Sequence, residues 1–252
     1  MSIGLSSCNQ QNDKPEKQNF EYEQGGIVRG DTGRKEIALV FTGDEYADGG
    51  NKIISALKKQ DVKASFFFTG NFYSNNDYKN IISALLKDGH YLGTHSDKHL
   101  LYCDWDKRDS LLVTKEEFTK DLNDNYLKMK AFGISKEKSN YFLPPFEWYN
   151  DSISSWTNEI GLQLVNLTRG TLAPADYTTP EMKNYRSTEE IYNNIINYEK
   201  ENKSGLNGFI LLTHIGTHPD RKDKLYDKLE DLIKALKSRG YTFKRINDLL
   251  EN

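Results

Sequence analysis

The sequence predicts an α/β chain built on a parallel sheet, either a barrel or a doubly wound sheet, and three observations predict it. From Lys35 onward, short apolar runs rich in β-branched and aromatic residues alternate with amphipathic stretches of helical period. The run Phe209-Ile210-Leu211-Leu212 is apolar without alternation, as a strand buried on both faces is. Seven such runs are separated by helical stretches, which makes each connection a crossover between parallel strands.

In chain order, the first strand is predicted over 36–41, followed by a helix over 51–59 with Ile53, Ile54 and Leu57 on one face. Ala-Ser-Phe-Phe-Phe-Thr at 64–69 is the second strand, 77–87 the next helix and 90–94 the third strand. A long loop leads to Thr114, an N-cap whose capping-box partner is Glu117, and the helix it opens runs to about 132. The fourth strand, 141–145, is stopped by Pro144-Pro145. A helix over 152–160 ends at Gly161 and leads into the fifth strand, 163–166. The irregular stretch 169–186 reads as an insertion on the active-site side. Ser187-Thr188-Glu189-Glu190 opens a helix to about 200, 208–214 is the sixth strand, 222–238 a helix, 241–243 the seventh strand and 246–250 a closing helical turn. The expected division is a flexible tether over 1–34 and one catalytic-size domain over 35–252.

Composition excludes several classes. With 252 residues, 37% of them hydrophobic, the chain can bury a substantial core. The 34 basic against 37 acidic residues give a formal charge of −3, so no basic face for a nucleic-acid backbone is expected. No apolar run approaches the roughly 20 residues that span a bilayer. Cys8 and Cys103 lie far apart in unlike contexts, which supports neither a disulfide framework nor a cysteine metal site. Leu5-Ser6-Ser7-Cys8 resembles the site at which bacterial lipoprotein signals are cut and lipidated, and a polar, structure-poor stretch follows it. The expectation is an envelope or extracellular protein whose contact with a membrane is a lipid anchor at Cys8.

The chemistry is expected where strands end. Four of the five histidines lie at or just past a predicted strand end, and in βα barrels the carboxyl ends of strands converge on one open face. His95-Ser96-Asp97-Lys98-His99 follows the third strand directly, and two imidazoles at this spacing in a turn can share a divalent cation. A carboxylate is the natural third ligand, and Asp44, just past the first strand, is placed to supply it. His214 ends the most apolar strand and is a candidate general acid. His218 reads as rim decoration and His90, at the opposite end of the barrel, as structural.

These residues carry a resemblance. An acid after the first strand, His-Ser-x-x-His after the third, Phe142-Leu143-Pro144-Pro145-Phe146 after the fourth and Leu212-Thr213-His214 late in the chain resemble the polysaccharide deacetylase family, a carbohydrate esterase group. Val62–Gly70 is similar to the family's second strand. The resemblance covers about residues 35–245 and implies a distorted (β/α) barrel with about seven parallel strands. It further implies one divalent metal, with zinc first and cobalt, nickel or manganese as alternatives, and hydrolysis of N- or O-linked acetyl groups on a polysaccharide or oligosaccharide.

Carried over residue by residue, the resemblance makes Asp44, His95 and His99 metal ligands, Glu45 the base and His214 the acid that protonates the leaving group. Exchanged roles for Asp44 and Glu45 are the alternative, with Asp48 a third acid in the same loop. Pro145, Phe146, Trp148, Asp176 and Tyr177 are the expected substrate contacts, with Trp105 and Tyr149 further aromatics in mouth loops. The chain departs from the family where Thr42 and Gly43 replace two adjacent aspartates and Leu143 replaces an arginine, for which Arg169 is the candidate substitute. A catalytically impaired barrel that binds glycans is the alternative function.

Overall fold

The computed structural model describes residues 19–251. It contains β1 (Glu21–Glu23), β2 (Gly26–Arg29), β3 (Glu36–Gly43), α1 (Gly50–Lys59), β4 (Ser65–Phe68), α2 (Gly70–Ser74), α3 (Lys79–Lys87), β5 (Tyr91–Thr94) and α4 (Lys115–Lys130). There follow β6 (Tyr141–Phe142), α5 (Asp151–Glu159), β7 (Gln163–Leu164), α6 (Thr188–Glu201), β8 (Phe209–His214), α7 (Leu229–Ser238), β9 (Thr242–Lys244) and α8 (Ile246–Leu250). The sheet order is β1-β2-β8-β3-β4-β5-β6-β7, with β9 also paired to β3. All seven predicted strands are present as β3 to β9, and every pairing among them is parallel.

The sheet curls until its ends are bridged. Beyond β7, Val165 forms a parallel bridge with Ile27 of β2, the Asn166 N–H donates to the Ile27 carbonyl at 2.8 Å, and the Thr168 N–H donates to Ile210 of β8 at 3.1 Å. This is the distorted (β/α) barrel that the resemblance implied.

Residues 21–29 correct the expected tether. They form an antiparallel hairpin with Glu23 opposite Gly26, so Gln24 and Gly25 are the two turn residues, at φ 45° and 75°. Positive φ at both positions matches the right-handed twist of a hairpin. Strands of three and four residues are too short to show periodicity, which is why the composition of the segment suggested a tether. The lipid-anchor expectation at Cys8 lies outside the described residues.

Strand alternation sorts the side chains into two apolar layers. Ala38 and Val40 of β3, Phe67, Tyr91, Tyr141, Val165, Ile210 and Leu212 fill the barrel interior, which Ile246, Leu249 and Leu250 of α8 close from below. Their neighbours Ile37, Leu39, Phe41, Phe66, Phe68, Phe209 and Leu211 pack outward against helices. Each of these large side chains is essentially inaccessible, a burial that contributes about 1.5–3 kcal/mol apiece.

Local signals place the helices. The Thr114–Glu117 capping box forms in full at the start of α4, and Ser187 with Glu190 forms a second at α6. The helix expected over 77–87 is preceded by α2, which Thr69 caps by accepting from the Phe72 N–H at 3.2 Å.

Candidate active site

The inward series continues past the packed interior onto the carboxyl ends of the strands. Thr42 follows Ala38 and Val40, Thr69 follows Phe67, His95 follows Tyr91 and Gly93, and His214 follows Ile210 and Leu212. In register Thr42 lies opposite His214. Thr42, His95 and His214 therefore meet in a cavity of about 550 Å³, lined also by Asp44, Glu45, His99, Trp105, Phe146, Glu147 and Tyr177.

Alternation also explains the altered first motif. Gly43 has outward parity, and a Cβ there would lie 2.7 Å from Ile215 Cγ2 and 3.0 Å from both Phe68 Cδ1 and Phe72 Cε2. A side chain at that position would require Ile215 and the two phenylalanines to shift. Asp44 is half-buried and its Oδ1 accepts from Thr69 Oγ1 at 2.6 Å and Asn71 Nδ2 at 3.1 Å. Glu45 is exposed at the rim, where its main-chain carbonyl accepts from the Tyr78 hydroxyl. Asp48 ties loops together, accepting from the Thr217 N–H at 2.8 Å and the Tyr226 hydroxyl at 2.5 Å beside Lys224.

The histidine loop is a turn held from α4. Ser96 and His99 both have positive φ, 73° and 54°. Ser96 Oγ accepts the His99 N–H at 2.9 Å, and Asp121 accepts the Asp97 and Lys98 N–H groups at 3.2 and 3.1 Å. Asn125 Nδ2 donates to the Phe68 carbonyl and Thr94 Oγ1, each at 3.0 Å, and to the Ser96 carbonyl. His95 and His99 stand edge to face with ring centroids 5.1 Å apart.

His95 Nδ1 lies 2.7 Å from the Leu143 carbonyl; as a carbonyl only accepts, this nitrogen carries the proton and Nε2 keeps its lone pair. Burial, with His99 beside it, holds the His95 pKa well below the ordinary value. Burial lowers that of His99 too, against the pull of Asp44. Two neutral imidazoles are the donors a divalent metal takes. Yet among the described residues no three His, Cys, Asp or Glu side chains are gathered closely enough to hold a metal ion. The donors fit as a pair, and Asp44, engaged by Thr69 and Asn71, is not drawn in as the third.

His214 has the opposite electrostatics. Its Nδ1 lies 2.6 Å from Asp176 Oδ1, and its backbone N–H donates to Oδ2 at 3.0 Å. Burial depresses the imidazole, but Asp176 and Glu147 outweigh it and the pKa is raised. Asp176 is thus corrected from a substrate contact to the buried partner of His214, both oxygens engaged by that residue. Pro145 is also buried and is not among the cavity-lining residues; it starts the turn that presents Phe146.

The aromatics form a wall. Phe146 and Tyr177 line the main cavity, with rings against His99 and His214 at 4.4 and 5.3 Å. Trp148 lines a neighbouring cavity of about 420 Å³, which shares Trp105, Phe146, Glu147 and Tyr177 with the first. Trp105 stacks on Trp148 at 5.6 Å, while Tyr149 is fully buried. Arg169 pairs with Glu23 at 3.2 Å, exposed to solvent. His218 is exposed on the rim, and buried His90 accepts the Ala64 N–H at 3.1 Å.

The sequence reading missed Glu147. It follows Phe146 on a turn where both residues have left-handed backbone, φ 59° and 53°. For residues other than glycine that conformation costs about 1–2 kcal/mol each. The available signal was an acid next to a Pro-Pro strand end. Burial, with Asp176 adding, raises the Glu147 pKa to about 7 against the pull of His214 and Arg169.

Comparison with known proteins agrees with this geometry. The polysaccharide deacetylase family profile matches residues 29–165, just over half of the chain. The chain belongs to the polysaccharide deacetylase family. It is 30% identical over 227 residues to an uncharacterized 30.6 kDa protein of Geobacillus stearothermophilus, covering 90% of this chain and 75% of the relative. It is 27% identical over 223 residues to the Bacillus subtilis peptidoglycan-N-acetylmuramic acid deacetylase PdaA, covering 88% and 73% of the two chains. The structure of PdaA, described as a family 4 carbohydrate esterase, superposes with a TM-score of 0.66 at 26% identity, covering 90% of this chain and 85% of that one. Esterases of this family are generally metal-dependent.

Proposed function

We propose that this polysaccharide deacetylase family member hydrolyses acetyl groups, N- or O-linked, from a carbohydrate polymer or oligosaccharide of the bacterial envelope or its surroundings. The observation that carries the reading is the convergence of the His95–His99 pair with the Asp176-held His214 in one cavity at the carboxyl ends of the strands. His95 and His99 would be the nitrogen ligands for one divalent ion, zinc first, with Asp44, whose Oδ1 is held by Thr69 and Asn71, the carboxylate that would complete the set. Such an ion, when bound, polarises an acetyl carbonyl and lowers the pKa of a water.

The remaining chemistry belongs to the chain. Asp176 fixes the tautomer and orientation of His214 and favours its protonated form, so that the other ring nitrogen can donate to a departing amine or alcohol. The aromatic wall supports a polymeric substrate. Trp105, Phe146 and Tyr177 are 54%, 42% and 44% exposed and border two adjoining cavities, a surface suited to successive flat sugar faces. No helix among the described residues is long and apolar enough to cross a membrane, and the proposed membrane attachment is lipidation at Cys8.

Acetate release from peptidoglycan, chitooligosaccharides and acetylated xylan tests the reading. The expected result is release from at least one of them, abolished by a chelator and by His95→Ala. The second reading, a glycan-binding barrel without turnover, is favoured by the incomplete ligand set and by Thr42 and Leu143. Glycan affinity with no acetate release under any added divalent metal would establish it instead.

A further inference from the structure

We infer that Glu147 is the base that takes the proton from the attacking water, in place of the aspartate that Thr42 replaces. The inference rests on the deacetylase reading above and deepens it. Three acids line the main cavity: Asp44, Glu45 and Glu147. Asp44 Oδ1 accepts from Thr69 and Asn71, and Glu45 sits at an exposed rim position. Glu147 is half-buried and comes from the opposite wall, where Asp176 and Glu147 are the carboxylates whose charge acts on His214.

The turn that carries Glu147 is fixed from both sides. Its N–H donates to the Pro144 carbonyl at 3.1 Å, and its carbonyl accepts from Asn166 Nδ2 at 2.8 Å. Two consecutive left-handed residues without glycine are kept there although glycine would relieve the strain, and strain of this kind clusters at sites of function. Thr42 lines the same cavity as Glu147 and lies in register with His214, and its hydroxyl is buried and brings no acid to that position.

The step balances with the groups present. Glu147 starts as a carboxylate and His214 as an imidazolium. The water oxygen bonds to the acetyl carbon while one water proton passes to Glu147 and the carbonyl π pair moves onto oxygen. The carbonyl then re-forms, the bond from carbon to the sugar nitrogen or oxygen breaks, and the ring proton of His214 goes to the leaving atom. Acetic acid and the free amine or hydroxyl depart, and the proton on Glu147 returns to His214 through solvent. One water is consumed per acetyl group.

The test uses the full chain with added zinc and the acetylated substrates named above. Glu147→Gln is expected to lower kcat by about 10²–10⁴-fold with KM little changed, and Glu147→Asp to retain an intermediate rate. A readout independent of turnover is the His214 titration followed by NMR: removing the facing carboxylate is expected to shift its pKa downward. If active wild type is matched by Glu147→Gln, or if the His214 titration is unmoved, the assignment falls while the deacetylase reading stands. A wild type inert on every substrate overturns both. An unchanged melting midpoint for Glu147→Gln separates a chemical loss from unfolding.

Discussion

The carboxylate of Asp176 holds His214 through two separate bonds, one oxygen 2.6 Å from the imidazole Nδ1 and the other accepting the residue's own backbone N–H at 3.0 Å. Side chain and main chain are thereby registered to the same buried group, and the ring cannot rotate without breaking an ionic hydrogen bond in a low-dielectric site. Asp176→Asn is expected to lower kcat by about 10²–10⁴-fold and to bring the His214 pKa down. A raised folded-state pKa contributes stability below the unfolded value near 6.5 that is lost as pH rises through the folded value. The difference in melting temperature between wild type and Asp176→Asn is therefore expected to be widest in acid and to narrow toward alkaline pH.

Activity should depend on pH with two limbs. Glu147, facing His214, Asp176 and Arg169, has its pKa raised by burial to about 7, so a base there is switched off as pH falls through that value. His214, facing Asp176 and Glu147, must be protonated to act as acid and is switched off as pH rises through its elevated pKa. A kcat profile with its maximum between these limbs is expected, the apparent values belonging to the coupled pair. In Glu147→Gln the acid limb should vanish, which a rate series across pH reads directly.

The alternation of strand residues made much of the barrel legible in the sequence, because buried parallel strands and amphipathic helices leave opposite periodicities. The mouth was legible where the chemistry is local: His95, His99 and His214 stand at strand ends in one cavity, as expected. What escaped depends on contacts between distant segments. The hairpin Glu21–Arg29 is too short for a period and is stable only as the bridge between the sheet's ends. Asp176, expected as a substrate contact, lies instead beneath His214, a partner 38 residues away. Glu147 depends on a left-handed turn that no residue-type preference announces.

Metal binding discriminates the roles of the three ligand candidates. Calorimetric titration of zinc into the apo chain is expected to show one site, lost in His95→Ala and in His99→Ala. Asp44→Asn should weaken it by about 10-fold or more if the carboxylate joins the imidazoles on binding. An affinity unmoved by Asp44→Asn would leave a site built on the two histidines alone.

The histidine loop is predicted to fail from behind. Asn125 does not line the cavity, yet its amide supplies hydrogen bonds to Phe68, Thr94 and Ser96 at the root of the loop. Asn125→Ala leaves buried Thr94 Oγ1 without its donor, while the Phe68 and Ser96 carbonyls keep the His95 and Gly70 N–H groups, at about 1–3 kcal/mol of stability. Denaturant unfolding should show this loss, and zinc affinity should fall with it, because the turn that sets the spacing of His95 and His99 is no longer held.

The aromatic wall is predicted to bind and not to react. Trp105 is 54% exposed, stacks at 5.6 Å on Trp148 and touches Phe146 edge-on at the same centroid distance, so it joins the two cavities without approaching His214 as Tyr177 does. Trp148 is itself fixed by the Arg108 guanidinium, 4.3 Å from its ring, and by its indole N–H donating to the Asp104 carbonyl at 3.1 Å. A stacked ring contributes about 0.5–1.5 kcal/mol, so Trp105→Ala should raise KM for an acetylated oligosaccharide by about 3–10-fold with kcat unchanged. For a single acetylated sugar, too short to reach the second cavity, the same substitution should change KM little. Equal losses on both substrates would place Trp105 at the reacting residue instead of along the chain.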